Sequence, residues 1–438
     1  MKLPFQNKFG GFHKTPVFAA AALALVVSAC GSSSTTASST SSTAASSGGT
    51  SKPSGSPINV GVVAGFTGTT AFIGKTFLTG ATTAETLIND NGGVLGRPIK
   101  LIAEDDGFDP VDAVTVVRKM LAVDNVSAVL GLAAPDYANA LPILNAAHMV
   151  NFTHIGSPSL DTQLMPYSFR SQPSDAVVGT AMAYYASLHY KKVALALDAS
   201  SGAQTLHQPI LNALKKTNVQ LTADVTLPVT AGSYTSEVLQ VLAGHPDAIL
   251  MQATDPSEFG EFFTALRQEG GGTIPVIASD LSAAADMVKA AGASYDQQYI
   301  KSIVPASAGG PGQAAFLAEF EKLYNKGPQS VAPNMYDSLN IVALAMDAAG
   351  STDPTKYVSF IPKVTTPGPG VTTVYTYAQG YKLLQEHKAI KYSGVASPDT
   401  FTKYHTVAGA FSAVTTDASG KETVVQTLDA NALTSLLS

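Results

Sequence analysis

The strongest constraint on the fold is a repeated pattern that begins at Ile58. Short runs of β-branched and aliphatic residues alternate with stretches whose apolar residues recur at helical spacing. The first unit consists of residues 58–64 and 77–89, and Gly92-Gly93 follows it as a helix stop. Alternating strands and helices predict an α/β fold with doubly wound parallel sheets that helices cover on both faces. Similar units follow at 99–121, 128–147, 193–216, 221–243 and 248–269.

The part of the chain after residue 57 is too long for one hydrophobic core. It has about 380 residues, whereas single cores usually stop growing at about 300 residues or fewer. Interruptions at Pro173 and at Val304-Pro305 divide the repeated units into series, which indicates crossings between two domains. Ligands of open α/β sheets bind beyond the carboxyl ends of the strands. Two such sheets that face each other predict a cleft with a hinge.

The N-terminal segment predicts export and attachment to a membrane. Three lysines up to Lys14 form a basic region, and residues 16–27 form an apolar stretch that is too short to span a bilayer. Residues 27–30, Val-Ser-Ala-Cys, resemble a bacterial lipobox, in which Cys30 is acylated and becomes the first residue of the mature protein. We expect a lipoprotein signal peptide over 1–29 and an extracytoplasmic protein with a lipid anchor. A structural cysteine behind an ordinary signal peptide is the alternative.

Residues 30–57 predict a disordered tether between this anchor and the globular part. They are rich in serine, threonine and glycine, carry almost no charge and show no hydrophobic periodicity, so they cannot bury enough apolar surface to fold. An O-modified stretch is the alternative. The chain has a net charge of −6, and the lysines of the predicted leader do not belong to the mature protein. An acidic protein without runs of lysine or arginine is a poor nucleic-acid binder.

The first part of the globular region resembles a known family. Residues 61–68, Gly-Val-Val-Ala-Gly-Phe-Thr-Gly, and residues 92–99, Gly-Gly-Val-Leu-Gly-Arg-Pro-Ile, are similar to the opening of branched-chain amino acid binding proteins. The motifs Asp105-Asp106 and Asp109-Pro110 continue the similarity. These relatives are type I periplasmic binding proteins, which feed ATP-driven importers. The resemblance extends, more weakly, to about residue 425.

The resemblance implies two α/β domains that are joined by three hinge crossings and close around a small-molecule ligand. We expect an N-terminal domain over 58–172 plus 304–421 and a C-terminal domain over 173–303 plus 422–438. It also implies that an ABC permease in the membrane is the partner and that no cofactor is needed. A ligand sensor or a surface lipoprotein of the same fold, without a role in transport, is the alternative.

Several positions that hold the ligand in the relatives differ in this chain. The relatives receive the ligand carboxylate with hydroxyls after the third strand, where this chain has Pro135 and Asp136. Gly156 follows the next strand, in a stretch where the relatives place a threonine. Ser201 lies where the relatives carry an aromatic lid. Fewer hydroxyl donors and an added acid predict a pocket for a neutral or cationic ligand, such as an amide, a polyamine-like molecule or a ring compound.

Other candidate residues keep a ligand-binding role open. Asp280 matches the carboxylate that holds the ligand ammonium in the relatives, and a helix N-cap is its alternative role. Asp255 stands at a comparable strand end, where it could contact the ligand or merely start the next helix. His154 could donate to the ligand or be a satisfied histidine at a strand end. Phe72 could cover the ligand or anchor the packing of its loop.

The sequence does not favour catalysis. It contains no Gly-x-Ser-x-Gly elbow, no His-Glu-x-x-His motif and no cysteine besides Cys30, and its histidines lack metal-ligand spacing. Lys75-Thr76 follows a glycine-rich loop, but Gly68 and Gly74 enclose five residues where a Walker motif requires four. We therefore expect a binding protein and not an enzyme, without a metal site.

Overall fold

The computed structural model describes residues 52–134, 137–306, 311–329, 331–397, 400–407 and 409–437. Cys30, the predicted leader and nearly all of the predicted tether lie outside the described residues, as do Pro135 and Asp136. Among the described residues, no helix combines the length and the apolar character needed to cross a bilayer.

The first domain begins with a five-stranded parallel sheet. Its strands are β1 (Ile58–Ala64), β2 (Ile99–Asp105), β3 (Val129–Gly131), β4 (Asn151–Thr153) and β5 (Ser168–Arg170), and the helices between them are α1 (Ala71–Asp90), α2 (Pro110–Ala122) and α3 (Tyr137–Ala146). The strands lie in the order β2-β1-β3-β4-β5. Asp109 starts α2 by accepting hydrogen bonds from the backbone N–H groups of Val111 and Asp112, with Pro110 at the first helical position.

The chain then enters the second domain. Its strands are β6 (Lys192–Asp198), β7 (Gln220–Leu227), β8 (Ala248–Gln252), β9 (Val276–Ser279) and β10 (Ile300–Pro305), and its helices are α4 (Asp175–His189), α5 (Ser201–Gln204), α6 (His207–Thr217), α7 (Thr235–Ala243), α8 (Pro256–Gln268), α9 (Ala285–Ala291) and α10 (Ala293–Tyr299). Strands β8 and β9 are almost wholly buried, which explains their continuous apolar sequences.

After β10 the chain returns to the first domain. It forms α11 (Pro311–Tyr324), α12 (Ala332–Ala349), α13 (Pro354–Tyr357), α14 (Ile361–Thr365) and α15 (Tyr377–Gln385), together with a small parallel pair, β11 (Thr372–Val374) and β12 (Ile390–Tyr392). Helix α12 packs closely on α1, because Gly80 has no side chain to hold the backbone oxygen of Ala332 away.

The last segment joins the second sheet. It contains β13 (Phe411–Thr416), β14 (Glu422–Thr427) and α16 (Ala430–Leu437). The second sheet then has the order β14-β13-β10-β9-β8-β6-β7, with β13 antiparallel to both of its neighbours. Apolar residues pack on both faces of each sheet, as in a doubly wound fold. The predicted α/β class with two parallel-sheet domains is confirmed.

The chain passes between the domains three times, but the third passage differs from the predicted position. Phe401 packs against the core of the first domain, whereas Phe411 already pairs with Pro305 of β10. The chain has therefore entered the second domain by Phe411, before the predicted boundary at residue 421. The reason is that β13 and β14 form a hairpin on the edge of the second sheet, so both strands belong to the second domain. The first two crossings follow β5 and β10.

Candidate ligand site

A cavity of about 490 Å³ lies between the two domains. Gln172 of the first crossing and Val304 and Pro305 of the second crossing form part of its wall. The first domain contributes His154, Phe316, Gln329 and Asn334, and the second domain contributes Asp280 and Glu422. The volume is within the range of about 300–1,000 Å³ that is typical of small-molecule sites. A ligand in this cavity would contact both domains and the hinge at once.

Asp280 follows β9 directly and begins a short 3-10 turn, Asp280–Ala283. Its alternative role as the cap of α9 is not supported by the contacts, because Ala284 is the N-cap of α9 and no side-chain hydrogen bond caps that helix. Burial raises the pKa of Asp280 to about 6, although the backbone N–H of Leu281 donates to the carboxylate and lowers it. A carboxylate held in this way attracts a cation.

Two further acids surround Asp280. Burial raises the pKa of Asp175 to about 7, a hydrogen bond from Thr205 lowers it, and the charge of Asp280 raises it further. Burial and then the charge of Asp280 raise the pKa of Glu422 to about 7. The like charges oppose full ionisation of all three groups at neutral pH. The nearby charge of Arg170 lowers the pKa of Asp175 and so partly compensates that acid.

Gly156 lies behind this acidic region and not in the wall of the cavity. The carboxylate of Asp175 packs directly against its Cα, so that a Cβ at this position would overlap the carboxylate oxygens. The backbone N–H of Asp175 also donates to the carbonyl oxygen of Gly156 over 2.7 Å. A glycine is thus required for α4 to approach the end of β4.

His154 lines the cavity. Its ring lies edge-on to Phe77, with 5.2 Å between the ring centroids. Burial lowers the pKa of His154 to about 3, so the imidazole is neutral at physiological pH. Its Nδ1 atom is buried and has no hydrogen-bond partner among the described residues. This atom has almost no accessible surface, so the ligand contact and the structural role of His154 both stay predictions.

The other described candidates lie outside this cavity. Asp255 caps α8 by accepting from the backbone N–H of Ser257 over 2.7 Å, and its pKa is lowered in part by a hydrogen bond from Thr69 of the first domain. Phe72 packs against the core of the second domain. Ser201 is an exposed residue at the start of α5. Phe72 and Asp255 thus connect the two domains.

The polar residues Gln329, Asn334 and Glu422 were not predicted from the sequence. Asn334 donates from Nδ2 to the carbonyl oxygen of Ser171 over 2.6 Å, which ties α12 to the first crossing. Gln329 accepts from the hydroxyl of Thr76 over 2.9 Å. These residues follow no strand of the repeated pattern. The turn residues Ser419-Gly420 could have indicated a hairpin before Glu422, but not that the hairpin faces the cavity.

Comparison with known proteins agrees with this architecture. Residues 57–421 match the sequence model of a family described as periplasmic binding protein. The chain belongs to this family. Family membership agrees with the expectation of a binding protein and not an enzyme. An amino acid binding protein of Pseudomonas aeruginosa is 25% identical over 313 residues, which are 69% of this chain and 81% of that protein.

Solved structures of similar fold share less sequence. LivJ, a branched-chain amino acid transporter substrate binding protein from Streptococcus pneumoniae in complex with isoleucine, has a TM-score of 0.72 and 21% identity, and the match covers 85% of this chain and 99% of LivJ. A solute binding protein of an ABC transporter from R. palustris, in complex with benzoate, has a TM-score of 0.69 and 16% identity over 85% of this chain and 96% of that chain. This protein therefore has the type I periplasmic binding protein fold.

Proposed function

We propose that the protein captures a small polar solute, an amino acid or a related amide or amine, between its two domains and delivers it to an ABC importer. The observation that carries this proposal is the cavity, whose wall contains residues of both domains and of two crossings. A ligand that contacts both domains binds the closed arrangement better than an open one. It therefore shifts the population toward the closed form.

The chemistry of the cavity supports a ligand that carries nitrogen groups. Asp280 offers a carboxylate, Gln329 and Asn334 offer amides, and Phe316 and Val304 offer apolar surface. The Pseudomonas relative is named for amino acids, and the solved relatives hold isoleucine and benzoate. The permease partner is proposed from the family resemblance alone.

The proposal is tested by titration calorimetry of the full chain, purified in detergent, with amino acids, amides, amines and aromatic acids. Thermal unfolding followed by circular dichroism is the second readout. A ligand at one hundred times its dissociation constant stabilises the native state by about 2.7 kcal/mol and raises the unfolding temperature. If the protein bound none of these ligand classes, solute capture would be contradicted. If a ligand triggered a cellular response but was not transported, a role as a sensor would be favoured.

Asp280→Asn is expected to weaken the binding of any ligand with an ammonium group by about tenfold or more, because the substitution removes the opposite charge. The matched control is Asp286→Asn, since Asp286 is exposed on α9. Affinities from calorimetry check the effect, and circular dichroism melts check that both variants fold. Equal affinities for the two variants would show that Asp280 is not a ligand contact.

We further propose that the protein is held at the outer face of a membrane by a lipid on Cys30, with residues 31–57 as a tether. Cys30→Ser is expected to move the protein from the membrane fraction to the supernatant, because the substitution removes the thiol to which the lipid is attached. Cell fractionation and immunoblotting measure the change, and Ser28→Thr in the predicted leader is the control. Retention of the Cys30→Ser protein in the membrane would require another anchor.

A further inference from the structure

The hairpin between β13 and β14 brings a charged residue into the cavity that the sequence analysis did not consider. Oδ1 of Asp417 accepts hydrogen bonds from the backbone N–H groups of Ser419 and Lys421, over 2.8 and 3.0 Å, and from the hydroxyl of Ser419. Glu422 begins β14 and pairs with Thr416 of β13. The tight turn and the strand pairing thus fix the backbone at Glu422. Glu422 lines the same cavity as Asp280.

The charges around Glu422 do not balance. The charged residues in the wall of the cavity are Asp280, Glu422 and Lys421, and Lys421 is exposed. His154 is neutral because its pKa is lowered to about 3, and Asp175 adds a further acid whose charge interacts with that of Asp280 and is partly compensated by Arg170. Burial together with the Asp280 charge raises the pKa of Glu422 to about 7. A bound cation would relieve this repulsion.

The wall of the cavity also holds a polar side chain with an unpaired atom. Nδ1 of His154 is buried and lacks a hydrogen-bond partner among the described residues, although buried polar atoms are nearly always paired. His154 belongs to the same wall as the two acids, and the cavity of about 490 Å³ has room for a small organic molecule. The two acids therefore belong to a cavity that can enclose a small molecule.

We propose that Glu422 is a second carboxylate of the ligand site and that, with Asp280, it selects an organic nitrogen cation, an amine or amidine without a carboxylate. This inference rests on the proposed function, because it concerns the same cavity. It differs from the family resemblance, which assigns one acid to the ligand and none to the hairpin. The exposed Lys421 interacts with the carboxylate of Asp417, so the two acids of the cavity wall call for a cationic ligand.

The experiment compares probes that differ in charge at similar size. Putrescine and agmatine are the cations, butanamide is the neutral probe, butanoate is the anion and leucine is the zwitterion. Calorimetry is carried out on the full chain at pH 8.5, where carboxylates with a pKa of about 7 are ionised. The unaltered protein is expected to bind a cation at least about tenfold more tightly than butanamide, butanoate or leucine.

Glu422→Gln is expected to weaken the binding of the cation by about tenfold or more. Glu269→Gln, a change at an exposed position after α8, is expected to leave it unaltered. Should Glu422→Gln fail to fold, the preference of the unaltered chain for cations still decides whether the site selects a cation.

The outcomes separate this inference from the proposed function. Tight binding of leucine, butanamide or butanoate with no preference for cations would overturn the inference and leave solute capture intact. Cation binding that Glu422→Gln reduces by less than about twofold would overturn the role of Glu422 alone. Binding of no probe at all would overturn both the inference and the amino acid, amide or amine specificity of the proposed function.

Discussion

Arg170→Met is expected to lower the free energy of unfolding by about 3 kcal/mol, because it breaks a buried ion pair that connects two crossings. Nε of Arg170 donates to the hydroxyl of Thr406 over 2.7 Å, and Nη1 donates to the carbonyl oxygen of Ser157 over 3.1 Å. Nη2 forms an ion pair with Asp161, which in turn accepts from the hydroxyl of Ser174 over 2.6 Å. Ser174 caps α4 in the second domain.

The expected loss is at the lower end of the range for buried pairs. The Arg170 side chain is 5% exposed, but that of Asp161 is 30% exposed, so water partly compensates the acid that remains. Urea unfolding followed by circular dichroism measures the change. The control is Arg97→Met, which removes hydrogen bonds from a more exposed arginine to Ser56 and Pro57 and is expected to cost about 1 kcal/mol. Equal losses in the two variants would show that Arg170 does not stabilise the hinge.

The sequence predicts the local elements of this fold because their signals are local. Burial on one face or on both faces leaves a period in each strand and helix, and the strand and helix units at 58–89 and 248–269 appear in the structure as β1 with α1 and β8 with α8. Helix caps can also be predicted from the sequence. Asp255-Pro256 starts α8, which is the alternative role that the sequence analysis gave to Asp255.

The position of the third crossing could not be predicted, because it depends on which strand β13 joins. Phe411 and Pro305 pair across more than one hundred residues of chain, and no local pattern specifies such a partner. A hairpin after residue 410 is compatible with either domain until its antiparallel pairing with β10 is known. The same limit explains why Glu422 was missed, since it reaches the cavity only through that pairing.

The candidate site could be predicted only where strand ends converge. His154 and Asp280 follow β4 and β9, and the structure places both in one cavity, in agreement with the rule for open α/β sheets. Phe72 and Asp255 also follow strand ends, but they lie where the domains contact each other. Sequence shows that a residue follows a strand, whereas the distance between the two sheets decides whether it meets ligand or protein.

Asp337 holds part of the cavity wall from the interior of α12. This helix is buried over most of its length, and Asp337 is 2% exposed. One carboxylate oxygen accepts from the hydroxyl of Tyr392 over 2.8 Å and from the backbone N–H of Val395 over 2.9 Å, and the other accepts from the backbone N–H of Ala396 over 2.7 Å. Val395 and Ala396 line the cavity. Burial raises the pKa of Asp337, and the donated hydrogen bonds lower it.

Asp337→Ala is expected to lower the free energy of unfolding by about 3 kcal/mol and to weaken ligand binding as well, because buried donors lose their acceptor and the 395–397 loop loses its attachment. Urea unfolding and calorimetry measure the two effects, and Asp286→Ala, at an exposed position of α9, is the control. Asp337→Asn keeps one acceptor oxygen but turns an amide toward a backbone donor, so we expect an intermediate loss.

If Asp337→Ala lowered stability without changing affinity, the loop would be held in place by its own packing. A loss of affinity larger in Asp337→Ala than in Asp337→Asn would show that a residue without access to the ligand sets the shape of the site through the backbone of Val395 and Ala396.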